Sequence, residues 1–328
     1  MRTSLKVCFV GLGSIATRHI RNLKDLYCEK ITIDALRSGK NIEPDNQNKM
    51  FINRIYYDYS ELPDDYDVIF ITNPTKLHYD TLKNCQKYGK HFFIEKPVFE
   101  TGEEDLERLQ CKEGSIYYVA CPLRYTGVIE YLKENINFSK IHSVRCISSS
   151  YLPEWRPGTD YRTTYSAKKE LGGGVAIDLI HEWDYLCYLL GQPQRVLTLM
   201  GKKSNLEINS EDIAVYVAEY PDKFVELHLD YFGRVPIRKI ELYGEDDLIE
   251  ADLIKQSILF RKENRCITFN HLRDTYQKKE LIHFFDILDG KYSNDNTLSQ
   301  ACEILKIARG DYNEYFIYNM RQSRIKRI

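Results

Sequence analysis

One stretch near the start constrains the fold more than any other: "LKVCFVGLGSIATRHIRNL", residues 5–23. Residues 5–10 form the continuous apolar run that a parallel strand buried on both faces requires. The run breaks into Gly11-Leu12-Gly13-Ser14-Ile15-Ala16, a G-x-G-x-x-A turn that opens a helix-like segment. Gly11 permits a tight turn. Gly13 lets the backbone approach a pyrophosphate seated on the N-terminus of the next helix, and Ala16 is small enough for helix and strand to pack closely. Ser14 and Ile15 complete this turn. A strand before the motif and a helix after it predict a dinucleotide site. The plain alternative is a tight turn with no ligand.

The next strand is "KITIDALRS" (30–38). An NAD site usually carries Asp or Glu at its end, bonded to the ribose hydroxyls. Here that place holds Arg37 and Ser38, whereas Asp34 comes about three residues too early. A guanidinium pairs bidentately with a 2′-phosphate, so the expectation is NADP(H), with NAD as the lesser possibility. After a charged helix or loop, "DVIFITNP" (67–74) reads as another buried strand ending in Thr72-Asn73-Pro74, with His78 soon after. "HFFIEKPVFE" (91–100) ends in Glu95-Lys96-Pro97, and "YYVACPLRY" (117–125) is read as the last strand. Alternating strands and helices predict a doubly wound parallel sheet over residues 1–122, with ligands at the carboxyl ends of its strands.

From about residue 143 the pattern changes. "SVRCISSSY", "AVYVAEY", "FVELHLDYF", "RKIELYGE", "LIEADLI" and "SILFRK" are short β-rich runs separated by turn signals. They predict an α+β domain over 123–328, built on a large, open, mostly antiparallel sheet with one face against helices. A C-terminal helix at about 296–310 is expected to pack back on the first domain. Residues 152–170, "LPEWRPGTDYRTTYSAKKE", read as a long loop that closes over substrate. Trp155, Tyr161 and Tyr165 suit stacking on apolar sugar faces. Arg156 and Arg162 suit hydroxyls or an anionic group. Then comes "LGGGVAIDLIHEWDYL" (171–186). Read as one helix, it steps Asp178, His181 and Asp184 round by about 60° each and sets His181 between two carboxylates. A histidine there is either a general base or a satisfied core group. No further His or Cys cluster completes a metal site, so none is expected.

Composition bounds the rest. The chain has 328 residues, 43% hydrophobic and 29% charged, with a formal net charge of -2. That is a globular protein with no field favouring nucleic acid or acidic membranes. The tail "RQSRIKRI" is locally basic and reads as a solvated terminus. Nine dispersed cysteines without a C-x-x-C fit reduced thiols. With no leader pattern and no apolar run near about 18 residues, the expectation is a cytoplasmic protein.

Taken together, "TNPTKLH" (72–78), "GKHFFIEKPV" (89–98), "LRY" (123–125), "GGGVAIDLIHEWDYL" (172–186), "YQKKELIHFFDILDG" (276–290) and the first glycine turn with His19 after it resemble the Gfo/Idh/MocA oxidoreductases. The resemblance spans nearly the whole chain in the family's order. It implies a Rossmann-type domain followed by a substrate and oligomerisation domain, and a homodimer or homotetramer. It implies that Lys96 lies between nicotinamide and substrate, and that Thr72, Asn73, Pro74, His78 and Glu95 line the cofactor side. It further implies His181 as general acid/base with Asp178 upstream, and Arg124 on the substrate side. Two departures stand out. The family commonly spaces that Asp and His four residues apart, and here they are three apart. Many members also carry an Asn near the place of Pro122. The function expected is NAD(P)-dependent hydride transfer to or from a hydroxyl or carbonyl carbon of a sugar, cyclitol or nucleotide-linked sugar, in bacterial surface-glycan metabolism. The competing readings are a reductase of a non-sugar double bond and a silent NADP-sensing regulator.

Overall fold

The structure, a computed structural model, describes residues 4–39 and 49–313. The basic tail at 321–327 lies outside them. The described residues divide into two compact units: one runs to Pro122 and resumes at Leu272–Cys302, and the other holds Leu123–His271 and resumes at Glu303.

The first unit is a six-stranded parallel sheet. Its strands are β1 (Leu5–Val10), β2 (Ile31–Leu36), β3 (Arg54–Tyr56), β4 (Tyr66–Ile71), β5 (Gly89–Ile94) and β6 (Tyr117–Val119). Their order is β3-β2-β1-β4-β5-β6, the doubly wound arrangement expected, with the order reversing between β1 and β4. β1, β2, β4 and β5 are buried along almost their whole length, which explains their unbroken apolar runs. Helix α1 (Ser14–Tyr27) follows β1, and α2 (His78–Cys85) follows β4. Strict alternation of strand and helix is not kept, since only a 3-10 turn at Glu107–Leu109 is formed between β5 and β6. β3, unexpected from sequence, is a three-residue edge strand within the supposed charged helix or loop. The strand expected over 117–125 stops at Val119. The chain then turns through a 3-10 helix at Pro122–Tyr125, where proline has no N–H for a ladder.

The core of this unit is aromatic. Phe9 stacks on Phe70 at 4.6 Å between ring centroids, and Phe93 and Tyr118 extend the layer. Phe284 closes it edge-on against Phe93. Phe284 belongs to the late helix α6 (Arg273–Leu288), which packs along α1 through Tyr27–Phe285 and Lys278–Asp25.

The second unit is the expected mostly antiparallel sheet, with eight strands in the order β14-β13-β12-β11-β7-β10-β9-β8. They are β7 (Ile141–Tyr151), β8 (Arg195–Gly201), β9 (Ile213–Glu219), β10 (Phe224–Asp230), β11 (Phe232–Gly244), β12 (Leu248–Asp252), β13 (Ser257–Phe260) and β14 (Arg265–Thr268). Only β7 and β10 pair in parallel. β8 and β14 are the two edges that sequence reading missed. β8 carries Leu197 and Leu199 outward, so its apolar pattern does not alternate with polar residues. Helices α3 (Gly127–Asn135), α4 (Val175–Asp178) and α5 (His181–Leu190) belong to this unit, and α7 is Leu298–Arg309. Trp183 of α5 meets Tyr216 of β9 edge-on, and Glu182 pairs with Arg238 of β11 at 2.7 Å, so α5 lies on the sheet's inner face.

Residues 175–190 are not one helix. α4 ends at Asp178, Leu179 leaves helical geometry, and α5 starts at His181. The regular angular step between Asp178, His181 and Asp184 is lost. The 152–170 loop is not structureless either. It folds through 3-10 turns at Leu152–Glu154, Tyr161–Thr163, Tyr165–Ala167 and Lys169–Leu171.

Candidate active site

In the first unit the candidate cofactor site gathers where strand order reverses, at the carboxyl ends of β1 and β4. Gly11 has φ +94°, and a Cβ there would come within 2.8 Å of the Asn73 backbone. A glycine is therefore required for the β1 turn to lie against Thr72-Asn73. Gly13 faces open space and caps α1 without a side-chain hydrogen bond. Ser14 is exposed and Ile15 half-buried in the first turn, which carries no acidic residue. This helix N-terminus keeps its amides and partial positive charge for an anion.

Several neighbours brace the turn. Thr72 donates its hydroxyl to the Gly11 carbonyl at 2.9 Å and the Val10 carbonyl at 3.1 Å. His78 is buried, with Nε2 2.9 Å from the Asn73 carbonyl and Nδ1 3.1 Å from the Val98 carbonyl. Burial lowers the pKa of this imidazole below its ordinary value, against the two carbonyl contacts, which raise it. Asn73 donates to Thr81 at 2.7 Å, while its Oδ1 is buried without a partner. Pro74 ends the segment by capping a 3-10 turn at Thr75–Leu77. An uncapped helix terminus, an open Gly13 and an orphaned Asn73 oxygen fit the phosphate and amide groups of a dinucleotide.

At the end of β2 Asp34 is buried, accepting from the Tyr66 hydroxyl at 2.8 Å and the Asn53 amide at 3.0 Å. Arg37 is half-buried with its backbone N–H on the Tyr56 carbonyl, and Ser38 is exposed. At the end of β5, Glu95 lies 2.6 Å from the buried His19 Nε2 and accepts the Lys96 backbone N–H. Burial raises the Glu95 pKa, but the His19 contact and the Lys96 charge outweigh it and hold the carboxyl below its ordinary value. Lys96 itself is half-buried. His19 was not among the expected site residues. Its sequence signal is its place after the first glycine turn, one of the features that carry the family resemblance.

The second unit holds a separate cluster around Asp178. The Tyr165 hydroxyl donates to its Oδ1, and the Tyr231 hydroxyl donates to its Oδ2. Trp155 stands edge-on to Tyr231 at 5.2 Å and donates to Ser150 at 2.9 Å. The Arg156 guanidinium lies 5.6 Å from the Tyr165 ring centre. His181 is half-buried at the start of α5. The glycine run is shaped by crowding. A Cβ on Gly173 would strike the Tyr165 carbonyl oxygen, and one on Gly174 (φ +140°) would strike the Glu211 carboxyl. Burial also raises the Glu211 pKa.

Three other expected site residues have partners of their own. Arg124 is buried and grips Asp184 through two nitrogens at 2.9 and 2.6 Å, with Tyr188 under its guanidinium. Arg162 is exposed and bound to Asp160 and Glu207. The Tyr161 hydroxyl accepts the Glu207 N–H at 3.1 Å. Tyr231 was missed from the site, being a single aromatic between two strands, 53 residues from the aspartate it holds.

Two family models match the chain. One, the oxidoreductase family with an NAD-binding Rossmann fold, matches residues 5–119; the other, the GFO/IDH/MocA C-terminal domain, matches residues 129–250. Among curated relatives, the uncharacterised oxidoreductase YrbE of Bacillus subtilis is 27% identical over 90% of this chain and 85% of its own length. The scyllo-inositol 2-dehydrogenase (NADP(+)) IolW of the same organism is 28% identical over 43% of this chain and 40% of its own. Among solved structures, levoglucosan dehydrogenase in complex with NADH and levoglucosan superposes with a TM-score of 0.78 at 16% identity, covering 93% of this chain and 95% of its own. UDP-N-acetylglucosamine 3-dehydrogenase GnnA from Acidithiobacillus ferrooxidans gives 0.73 at 16%, covering 94% and 96%. With both halves matched and the glycine turn built for a dinucleotide, the chain belongs to the Gfo/Idh/MocA family of nicotinamide-dependent oxidoreductases.

Proposed function

We propose that this protein is an NADP-preferring dehydrogenase that oxidises a CH–OH group of a sugar, cyclitol or nucleotide-linked sugar, or reduces the matching carbonyl. The carrying observation is the Glu95-Lys96 turn at the carboxyl end of β5, with its carboxylate fixed by the buried His19. Relatives named for D-xylose, scyllo-inositol and levoglucosan dehydrogenation support the substrate class. A bound nicotinamide supplies the hydride acceptor or donor. His181 takes the proton as the substrate hydroxyl becomes a carbonyl. Lys96 stabilises negative charge developing on that oxygen. Asp178 orients the acid/base group and balances its cation. Gly11, Gly13, Ser14, Ile15, Asn73 and Pro74 form the cofactor cradle, which Thr72, His78 and Glu95 brace. Trp155, Arg156 and Tyr165 serve the substrate.

The NADP preference rests on Asp34. Its carboxylate is committed to Tyr66 and Asn53, which leaves Arg37 and Ser38 as the polar groups at the end of β2. Turnover of a polyol and nucleotide-sugar panel with each cofactor tests the reading. Expected is a kcat/KM at least about tenfold higher with NADP, worth about 1.4 kcal/mol, and abolished in Arg37→Ala. An NAD preference refutes the cofactor assignment. Near-normal kcat in folded Lys96→Ala refutes the catalytic one.

A further inference from the structure

Asp178 is held by two phenols that no sequence motif brings together. Tyr231 sits between β10 and β11 and is fully buried. Its backbone is pinned on both sides, its N–H bonding the Asp212 carbonyl and its carbonyl accepting the Leu152 N–H. Trp155 packs edge-on against its ring. Tyr165 reaches the same carboxylate from the 3-10 turn at Tyr165–Ala167, and the residue is 42% exposed. Burial first, and then the Asp178 charge, raise the pKa of both phenols, so both remain protonated donors at any ordinary pH.

A carboxylate offers about four lone-pair directions. One phenol on each oxygen uses two of them and fixes the plane of the group. Bonds to an ionised acceptor are roughly twice as strong as neutral ones, so this clamp is stiff. Asp184 is held differently, with Arg124 gripping both of its oxygens.

We propose that Tyr231 and Tyr165 are positioning residues that clamp Asp178 in its reactive orientation, and that Tyr165 joins this clamp to the 152–170 segment. The inference rests on the dehydrogenase reading of Asp178 and extends it to two residues outside the family's motifs as they stand in this chain. It makes the 152–170 segment part of the site through the Tyr165 hydroxyl.

The test has a substrate-free arm and a kinetic arm, both on the full chain. In the first, tyrosine is labelled with ¹³C at the ring carbon bearing the hydroxyl. The resonances lost in Tyr165→Phe and in Tyr231→Phe identify the two phenols, and both should move in Asp178→Asn. If neither moves, the contact is absent and the proposal falls. In the second arm, Tyr231→Phe and Tyr165→Phe are each combined with Asp178→Asn. Each single tyrosine variant should lower kcat roughly 10- to 100-fold with KM nearly unchanged. On the Asp178→Asn background the same changes should cost almost nothing more, because they act through one group. Unimpaired tyrosine variants, or equal losses on both backgrounds, overturn the positioning role while leaving the dehydrogenase reading intact. If the phenol signals respond but the wild type oxidises no polyol, the dehydrogenase reading fails and takes the positioning role with it. Should Tyr231→Phe not fold, Tyr165→Phe, on the exposed turn, carries the cycle alone.

Discussion

At the scale of single residues, the first unit spends polar side chains on holding backbone in place. Thr72 ties the end of β4 to the Gly11 turn, and His78 ties Asn73 to Val98. These contacts give His78 a measurable signature. Burial lowers its folded-state pKa, against which the two carbonyl contacts work only in part. In the unfolded chain the pKa is about 6.5. Above that pH neither state carries the proton, and the stabilising effect of the neutral imidazole is fully present. As pH falls below about 6.5 the unfolded chain takes up the proton first, so stability declines until the folded pKa is reached. Thermal melts from pH 7.5 down to 5.5 should show this decline in the wild type and a shallower one in His78→Gln. Parallel slopes would mean that His78 is not the group responsible.

At the scale of elements, legibility followed locality. The β1 turn and α1 could be read because Gly11, Gly13 and Ala16 are neighbours whose roles are set within a few residues. The place of Lys96 just past the end of β5 could be read for the same reason. Asp178 and Tyr165 were each expected at the site, but their contact was not legible and Tyr231 was missed, because the two tyrosines reach Asp178 from 13 and 53 residues away. The break at Leu179-Ile180 was also hidden, since an apolar pair without Gly or Pro looks helical from sequence. β8 escaped because Leu197 and Leu199 face outward. The glycine run was noticed, but its cause is tertiary. Gly172 (φ +78°) has open space around it, whereas a Cβ on Gly173 would come 1.9 Å from the Tyr165 carbonyl oxygen. That oxygen is backbone in a hydrogen-bonded turn and has little room to retreat. Gly173→Ala should therefore cost about 1–3 kcal/mol by overpacking and should lower kcat by displacing Tyr165. Gly172→Ala should cost roughly 1–2 kcal/mol of left-handed strain and leave kcat near wild type. Chemical denaturation with steady-state kinetics on both variants checks the contrast, and equal effects would show that the crowding at Gly173 is not felt.

At the scale of the whole molecule, the eight-stranded sheet presents one face that the helices of its unit leave open. Leu197 pairs with Val217 and Leu199 with Val215 across β8 and β9, and the same face continues through Glu226, His228, Arg145 and Ile147. Leu199 is 78% exposed, and Phe224 is exposed at the β10 end. Apolar side chains grouped at one end of a sheet face, beside an Arg145–Glu226 pair, suit association with a second copy better than contact with water. We propose a homodimer or homotetramer formed through this face. Leu199→Glu combined with Val217→Glu puts two carboxylates where neighbouring strands meet. Both positions are already exposed, so each change should alter the stability of the isolated fold by no more than about 0.5 kcal/mol. Sedimentation should then show a smaller species than wild type at the same concentration. The melting temperature should lose its dependence on protein concentration, as mass action requires when assembly no longer stabilises the folded chain. An unchanged sedimentation coefficient in a folded double variant would rule out this face as the interface.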